Sequence, residues 1–265
     1  MEYQDQIGRV LVLKKTPIRI ICLVPSLTEL LVDLGLEDCI IGITKFCIHP
    51  EHLKQTKTVV GGTKNINIDK IKNLKPDIIL CNKEENSKDI VEICEKIAPT
   101  HVSDIYTIDD NLDLIKQYGL LFSKENKATE IIEEIHSKLE DFRRFTKTLK
   151  VKKVTYFIWK NPWMAVGNNT FINHLLQLNK FENIYQNKER YPEVQLNEID
   201  ANRNLDFVFL SSEPYPFKGE HIFEVEKITK KAKVILVDGE MFSWYGSRLK
   251  LAFKYFKTLH KNIAE

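Results

Sequence analysis

The sequence predicts an α/β protein of two lobes with mainly parallel sheets, joined by one long helix. Three observations carry this. Short β-branched runs alternate with amphipathic segments in both halves of the 265 residues, the pattern of strand–helix–strand units. Residues 123–149 replace that alternation with a single unbroken amphipathic stretch. Lastly, "LKPDIILCNKEEN" (74–86) is echoed by "RNLDFVFLSSEPY" (203–215): Asp77 to Glu84 and Asp206 to Glu213 are both seven apart, as in paired lobes.

The elements follow in order. "RIICLV" (19–24), bounded by Pro17 and Pro25, reads as a buried strand. Ser26-Leu27-Thr28-Glu29 fits a capping box with Ser26 as N-cap, and Gly35 closes the helix. "CIIGIT" (39–44) and "DIILC" (77–81) are strands; "NIDKIKNLK" (67–75) and "SKDIVEICEKIA" (87–98) are helices, the second ended by Pro99. Within 123–149, Ala128, Ile131, Ile132, Ile135, Leu139, Phe142 and Phe145 recur three or four apart. With no Gly or Pro, this is one helix of roughly seven turns at about 3.6 residues each. Alternation resumes with strands at 153–159, 205–210 and 233–238 and helices at 169–178 and 220–232. A last helix starts near Ser247, with Leu249, Ala252, Phe253, Phe256, Leu259 and Ile263 on one stripe. The expected boundaries are an N-terminal lobe at 1–118, a linking helix at 119–149 and a C-terminal lobe at 150–265.

Composition removes several function classes. Apolar residues make up 43% and charged residues 29%, ordinary for a globular chain. Lys+Arg of 39 against Asp+Glu of 37 leaves +2, so no global field points to nucleic acid or an anionic membrane. The basic run "KITKKAKV" (227–234) reads as a solvated helix end. Five cysteines, without a C-x-x-C pair, describe a reducing compartment, with Cys22, Cys39 and Cys81 as small core residues. The opening "MEYQDQIGRVLVLKKTP" lacks the marks of a secretory signal, and no run is long enough to span a bilayer. The expectation is a cytoplasmic protein, or a periplasmic one if a leader has been removed.

Catalytic motifs are missing from the sequence. The turn "VPSLTE" after the first strand has proline where a dinucleotide needs glycine, and no G-x-S-x-G, H-E-x-x-H or kinase signature occurs. Only "KFCIHPEH" groups a cysteine with histidines, making Cys47 and His49 candidate metal ligands against the plainer reading of ordinary loop residues.

In open parallel sheets, ligands bind beyond the carboxyl ends of the strands. Pro25, Ser26, Lys45 and Phe46 fall there in the first half; Trp163, Tyr191, Trp244, Tyr245 and Arg248 do so in the second. Aromatics with a few polar groups in such loops suit a large, flat or partly apolar ligand. The competing reading is satellite core, which is the expectation for Phe242 and Trp159. Arg248 near a helix start opposes the helix dipole, which calls for an anionic partner on a ligand or a side chain.

The blocks "RIICLVPSLTELLVDLG", "VGGTKNINIDKIKNLKPDIIL", "NKEEN", "NPWMAVGNNTFINHLL" and "VDGEMFSWYGSRLKLA" resemble the helical-backbone (class III) substrate-binding proteins of ABC importers, nearest to the cobalamin-binding branch. The resemblance runs from about residue 9 to the end. It implies two Rossmann-like lobes joined by a rigid helix, with a corrinoid, haem or ferric siderophore held in a shallow cleft between them. Pro25, Ser26, Lys45, Phe46, Trp163, Tyr191, Trp244, Tyr245 and Arg248 would face the ligand. By the same resemblance Glu84 or Glu85, and Glu213, would dock onto arginines of a membrane permease.

Two readings follow. In the first, the protein is a receptor without catalysis or intrinsic cofactor, binding a cobalamin-like or other metal chelate. In the second, it is a cytoplasmic metal- or tetrapyrrole-handling protein or enzyme on the same fold, using Cys47 and His49.

Overall fold

A computed structural model describes residues 1–199, 204–229 and 231–264; of the segments read above, Arg203 and Lys230 lie outside the described residues. The chain divides into two compact units, Met1–His136 with Tyr245–Arg248, and Ser137–Trp244 with Leu249–Glu265.

The first unit opens with an antiparallel hairpin, β1 (Glu2–Gln4) and β2 (Val10–Val12). There follow β3 (Ile20–Cys22), α1 (Pro25–Asp33), β4 (Ile40–Ile43), α2 (Leu53–Thr56), β5 (Thr58–Val59), α3 (Ile68–Leu74), β6 (Ile78–Asn82), α4 (Lys88–Glu95), β7 (Thr100–Ser103) and α5 (Ile108–Leu121). The sheet is wholly parallel in the order β5-β4-β3-β6-β7. Every residue of β6 is buried, as expected for a parallel strand covered on both faces. Ile21, Leu23, Ile79 and Cys81 pack there against Ile71, Ile90 and Cys94 of the helices.

Asp77 fixes the amino end of this sheet. Its Oδ2 accepts from the Ile18 and Arg19 N–H groups at 3.0 and 3.1 Å, and its own N–H donates to Arg19 O at 2.8 Å. The hairpin covers the edge strand β7 through side chains, and all four residues of that strand are buried. Asp5 Oδ2 accepts from Val102 N–H at 3.1 Å, and Arg9 donates to Thr100 O at 2.8 Å.

The capping box is corrected by the structure. Helix α1 begins at Pro25 with Val24 as N-cap, because proline is pre-set for a first helical turn and has no N–H to satisfy. Ser26 therefore sits inside the helix, and Thr28 Oγ1 donates to Val24 O at 3.0 Å. Gly35 ends the helix at φ +72°, as the sequence suggests.

The long helix is α6 (Glu125–Thr146), shorter than 123–149. Residues 119–121 belong to α5, and Ser123 between the helices has φ +54°. Ala128, Ile131, Ile135, Leu139 and Phe142 form its buried stripe. The second unit then runs β8 (Lys152–Trp159), β9 (Met164–Ala165), α7 (Phe171–Leu178), β10 (Phe181–Asn183), β11 (Phe207–Ser211), α8 (Gly219–Glu226), β12 (Lys233–Val237), α9 (Gly239–Ser243) and α10 (Leu249–Ala264). The sheet order is β10-β8-β11-β12, all parallel, with β9 folded back antiparallel on β8. Helix α8 stops well before residue 232, and α10 starts two residues after Ser247.

Asp206 repeats the role of Asp77. Its Oδ2 accepts from Lys153 N–H at 2.8 Å, and its N–H donates to Lys153 O at 2.9 Å. One core face stacks aromatics: Phe242 is fully buried between Tyr156 at 5.2 Å and Phe256 at 4.7 Å, in agreement with its reading as core. All five cysteines are free thiols, and Cys39 is half-buried rather than core.

His101 is buried at the edge strand, edge-on to Tyr118 at 5.2 Å, with Nε2 3.2 Å from Gln117 Oε1. Burial pushes its pKa down from 6.5 to about 4. Its neutral form is thus favoured by folding, so stability is complete above about pH 6.5 and falls as the pH drops towards 4. The loss over that window is about 3 kcal/mol, at about 1.4 kcal/mol per unit. Denaturant unfolding at pH 7 and pH 4.5 measures it, and a His101→Phe variant shows a flatter pH profile.

Candidate functional site

Each sheet gathers its candidate residues at the carboxyl edge. In the first unit, the loop after β4 is fixed by Lys45 N–H donating to Gly61 O at 2.7 Å and Phe46 N–H donating to Thr44 Oγ1 at 3.2 Å. Phe46 stays 49% exposed, with the Lys45 ammonium 5.0 Å from its ring centre. Gly61, at φ +131°, makes the turn beside it, where a Cβ would meet Asn65 O at 2.5 Å.

The loop after β6 is built by two asparagines. Asn82 Oδ1 accepts from the Glu84 and Glu85 N–H groups at 2.8 and 3.1 Å. Asn86 donates to Thr63 O at 2.9 Å, and its Oδ1 accepts from Asn82 N–H at 2.9 Å. Lys64 Nζ donates to Glu84 O at 2.6 Å. Burial raises the Glu85 carboxyl above its usual range, while the Lys64 charge and a hydrogen bond with Thr63 pull it back.

Tyr245–Arg248 joins this group, and its attachment is specific. Asn111 Oδ1 accepts from Gly246 N–H at 2.5 Å, and Asn111 Nδ2 donates to Gly246 O at 3.2 Å. Gly246 has φ +91°, and a Cβ there would lie 3.3 Å from Ser26 O and from Leu30 Cβ. Arg248 is 4% exposed and forks onto Glu29, with Nε to Oε2 and a terminal nitrogen to Oε1 both at 2.8 Å. The anionic partner expected for Arg248 is therefore the protein's own Glu29, which is also why Glu29 does not close a capping box. Burial raises the Glu29 carboxyl, and Arg248 opposes that shift. Tyr245 is buried beside Ser26, and burial, with the Glu85 and Glu84 charges, raises its hydroxyl well above the usual range.

In the second unit, Trp244 is 7% exposed and donates Nε1–H to Glu213 Oε1 at 2.9 Å; Ser243 Oγ donates to the same oxygen at 2.6 Å. Trp163 is half-buried, stacked on Phe217 at 5.6 Å and edge-on to Phe157 at 5.1 Å. Tyr191 lies in a loop under the Arg190 guanidinium, 5.9 Å from its ring centre. The expectation of a core Trp159 is overturned: it is 40% exposed at the very end of β8, past the buried run Val154–Ile158 and beyond the register shift between Phe157 and Trp159. Tyr215, 5.7 Å from it edge-on, was not singled out by the sequence, although "SSEPY" places it just past a strand end.

Cys47 does not suit a metal. It is closed to solvent, its thiol donates to Thr28 Oγ1 at 3.3 Å, and burial raises its pKa, which disfavours the ligating thiolate. Among the described residues, no three His, Cys, Asp or Glu side chains are grouped to hold a metal ion. Likewise, no described helix is long and apolar enough to cross a membrane.

The periplasmic binding protein family model matches residues 20–235. The chain belongs to that family. An uncharacterised ABC transporter substrate-binding lipoprotein of Bacillus subtilis is 29% identical over 174 residues, 63% of this chain and 55% of its own length. The match thus spans little more than half of that relative. A vitamin B12-binding protein of Vibrio vulnificus is 26% identical over 197 residues, 72% of this chain and 71% of its own length. The solved periplasmic vitamin B12-binding protein of Vibrio cholerae shares the fold, with a TM-score of 0.80 over 94% of this chain and 99% of that one, at 18% identity. The two-lobed α/β class read from the sequence is therefore the family's fold.

The attachment of Tyr245–Arg248 is testable. An Asn111→Ala change strands both backbone groups of Gly246 and lowers stability by about 2–6 kcal/mol, at about 1–3 kcal/mol for each buried unmatched group. Chemical denaturation measures the loss.

Proposed function

We propose that this chain is a receptor without catalysis that captures a metal chelate of the corrinoid, haem or ferric-siderophore kind for ABC-type import. Family membership over residues 20–235 is the observation that carries the reading. The vitamin B12-binding relatives support a corrinoid as the leading ligand. The lipoprotein relative supports work outside the cytoplasmic membrane instead of in the cytoplasm, with a permease as partner.

The contact residues are proposed from the same loops. Phe46, Lys45, Ser26 and Pro25 would meet ligand from the first unit, with Tyr245 behind them. Trp163, Tyr191 and Trp244 are the contacts proposed on the second unit, and Arg248 would act through its grip on Glu29. Glu84, Glu85 and Glu213 are the acids proposed to face a permease. Of these, Glu213 already accepts from Ser243 and Trp244, so it would also set the Trp244 ring. The proposed domain layout keeps residues 1–118 and 150–265 as lobes about a linking helix within 119–149.

The test is a side-by-side titration of the protein with cyanocobalamin, cobinamide, haem and a ferric siderophore. Calorimetry and absorbance-corrected tryptophan fluorescence provide the readouts. One of the four is expected to saturate at a Kd of roughly 1 μM or tighter, about −8 kcal/mol. No saturable binding by any of them would reject the receptor reading for this ligand class.

A further inference from the structure

We infer that Trp159, braced by Tyr215, is the wall on which the second unit takes the flat face of a macrocyclic ligand; this rests on the receptor reading above. The three tryptophans differ in what remains available. The Trp244 indole is buried with its N–H on Glu213, and the Trp163 ring is stacked on Phe217. Trp159 alone of the three keeps 40% of its surface in solvent, although tryptophan is normally well covered. It sits at the carboxyl end of a parallel strand, the position where open α/β sheets meet ligands.

The residue is exposed but not loose. Its backbone pairs with Met164 in the β8–β9 ladder, and the preceding carbonyl, Ile158 O, accepts from Tyr215 N–H at 3.2 Å. The Tyr215 ring meets the indole edge-on at 5.7 Å and is itself held against Phe217 at 4.7 Å. His221 Nδ1 accepts from Lys218 N–H at 2.9 Å, which leaves the ring proton on Nε2, 3.3 Å from the Tyr215 hydroxyl. An exposed ring on so fixed a base gives contact area with little ordering cost on binding.

Charge selects the kind of ligand face. The cation next in sequence, Lys160, is ion-paired with Glu224 and lies 5.7 Å from the Trp163 ring centre. An aromatic face whose adjacent cation is already paired favours the plane of a corrin or porphyrin over a highly anionic chelate.

Two measurements on the full chain test this. In the first, Trp159→Ala weakens binding of cyanocobalamin, cobinamide or haem, whichever the unaltered protein binds, by roughly 10- to 100-fold, while Trp159→Phe stays within roughly threefold. In the second, N-bromosuccinimide oxidises Trp159 ahead of Trp163 and Trp244 in the unaltered protein, and the bound macrocycle protects it, read by peptide mass spectrometry. Unchanged affinity in Trp159→Ala, or no protection of Trp159 at saturation, overturns the inference while leaving the receptor reading intact. Binding of only the ferric siderophore overturns the macrocycle preference alone. Binding of none of the probes removes the receptor reading, and this inference with it.

Discussion

Because every strand of the first unit's main sheet runs the same way, all of the loops that leave its carboxyl ends fall along one edge. Backbone groups past those ends have no ladder partner, and buried ones must find another. Small polar side chains supply it. Asn82 and Asn86 hold the loop that carries Glu84 and Glu85, and Thr44 holds the one that carries Phe46. The second unit does the same with Asn183, which accepts from Tyr185 N–H at 3.0 Å and donates to Val166 O at 2.9 Å. The candidate residues therefore stand on loops tied down by the same parallel architecture that gathers them.

The opposite edge explains the echo between the two halves. Asp77 and Asp206 each stand one residue before a central strand and bind the backbone where the neighbouring strand begins. Counting along the strand from that clamp brings the chain to a turn with a glutamate seven residues on in both units. The repeat is thus mechanical at its start: an acid that matches N–H groups at the sheet's entrance. At its far end the two glutamates differ. Glu213 is held by Ser243 and Trp244, whereas the backbone of Glu84 is held by Asn82 and Lys64.

Elements with a strong period were legible in the sequence. The β3, β6, β8, β11 and β12 runs, and the stripe along α6, follow from β-branched clustering and three-to-four spacing. Short pieces were not. The β1–β2 hairpin is stabilised by Asp5 and Arg9 reaching residues nearly a hundred positions away, and no local pattern marks such a contact. At the site, strand-end aromatics were found by position, but their exposure was not. Trp159 and Trp163 lie four apart, yet one ring is stacked on Phe217 and the other faces solvent. That difference is set by tertiary packing. The capping-box reading of Ser26 and Glu29 failed for a related reason: a buried arginine 219 positions away claims the glutamate.

That arginine bears on what the first unit can recognise. Arg248, 4% exposed, and Glu29, 15% exposed, form a two-pronged pair, so their charges cancel locally. For Arg248 to meet an anionic ligand group, Glu29 would have to be left buried without its partner, at a cost of about 3–5 kcal/mol. The pair instead fixes Gly246 and Tyr245 against α1, together with Asn111. Its effect is therefore geometric, through the placement of Tyr245. The guanidinium for which the sequence asks an anionic partner is, in the folded chain, the anchor of the Tyr245–Arg248 segment on α1.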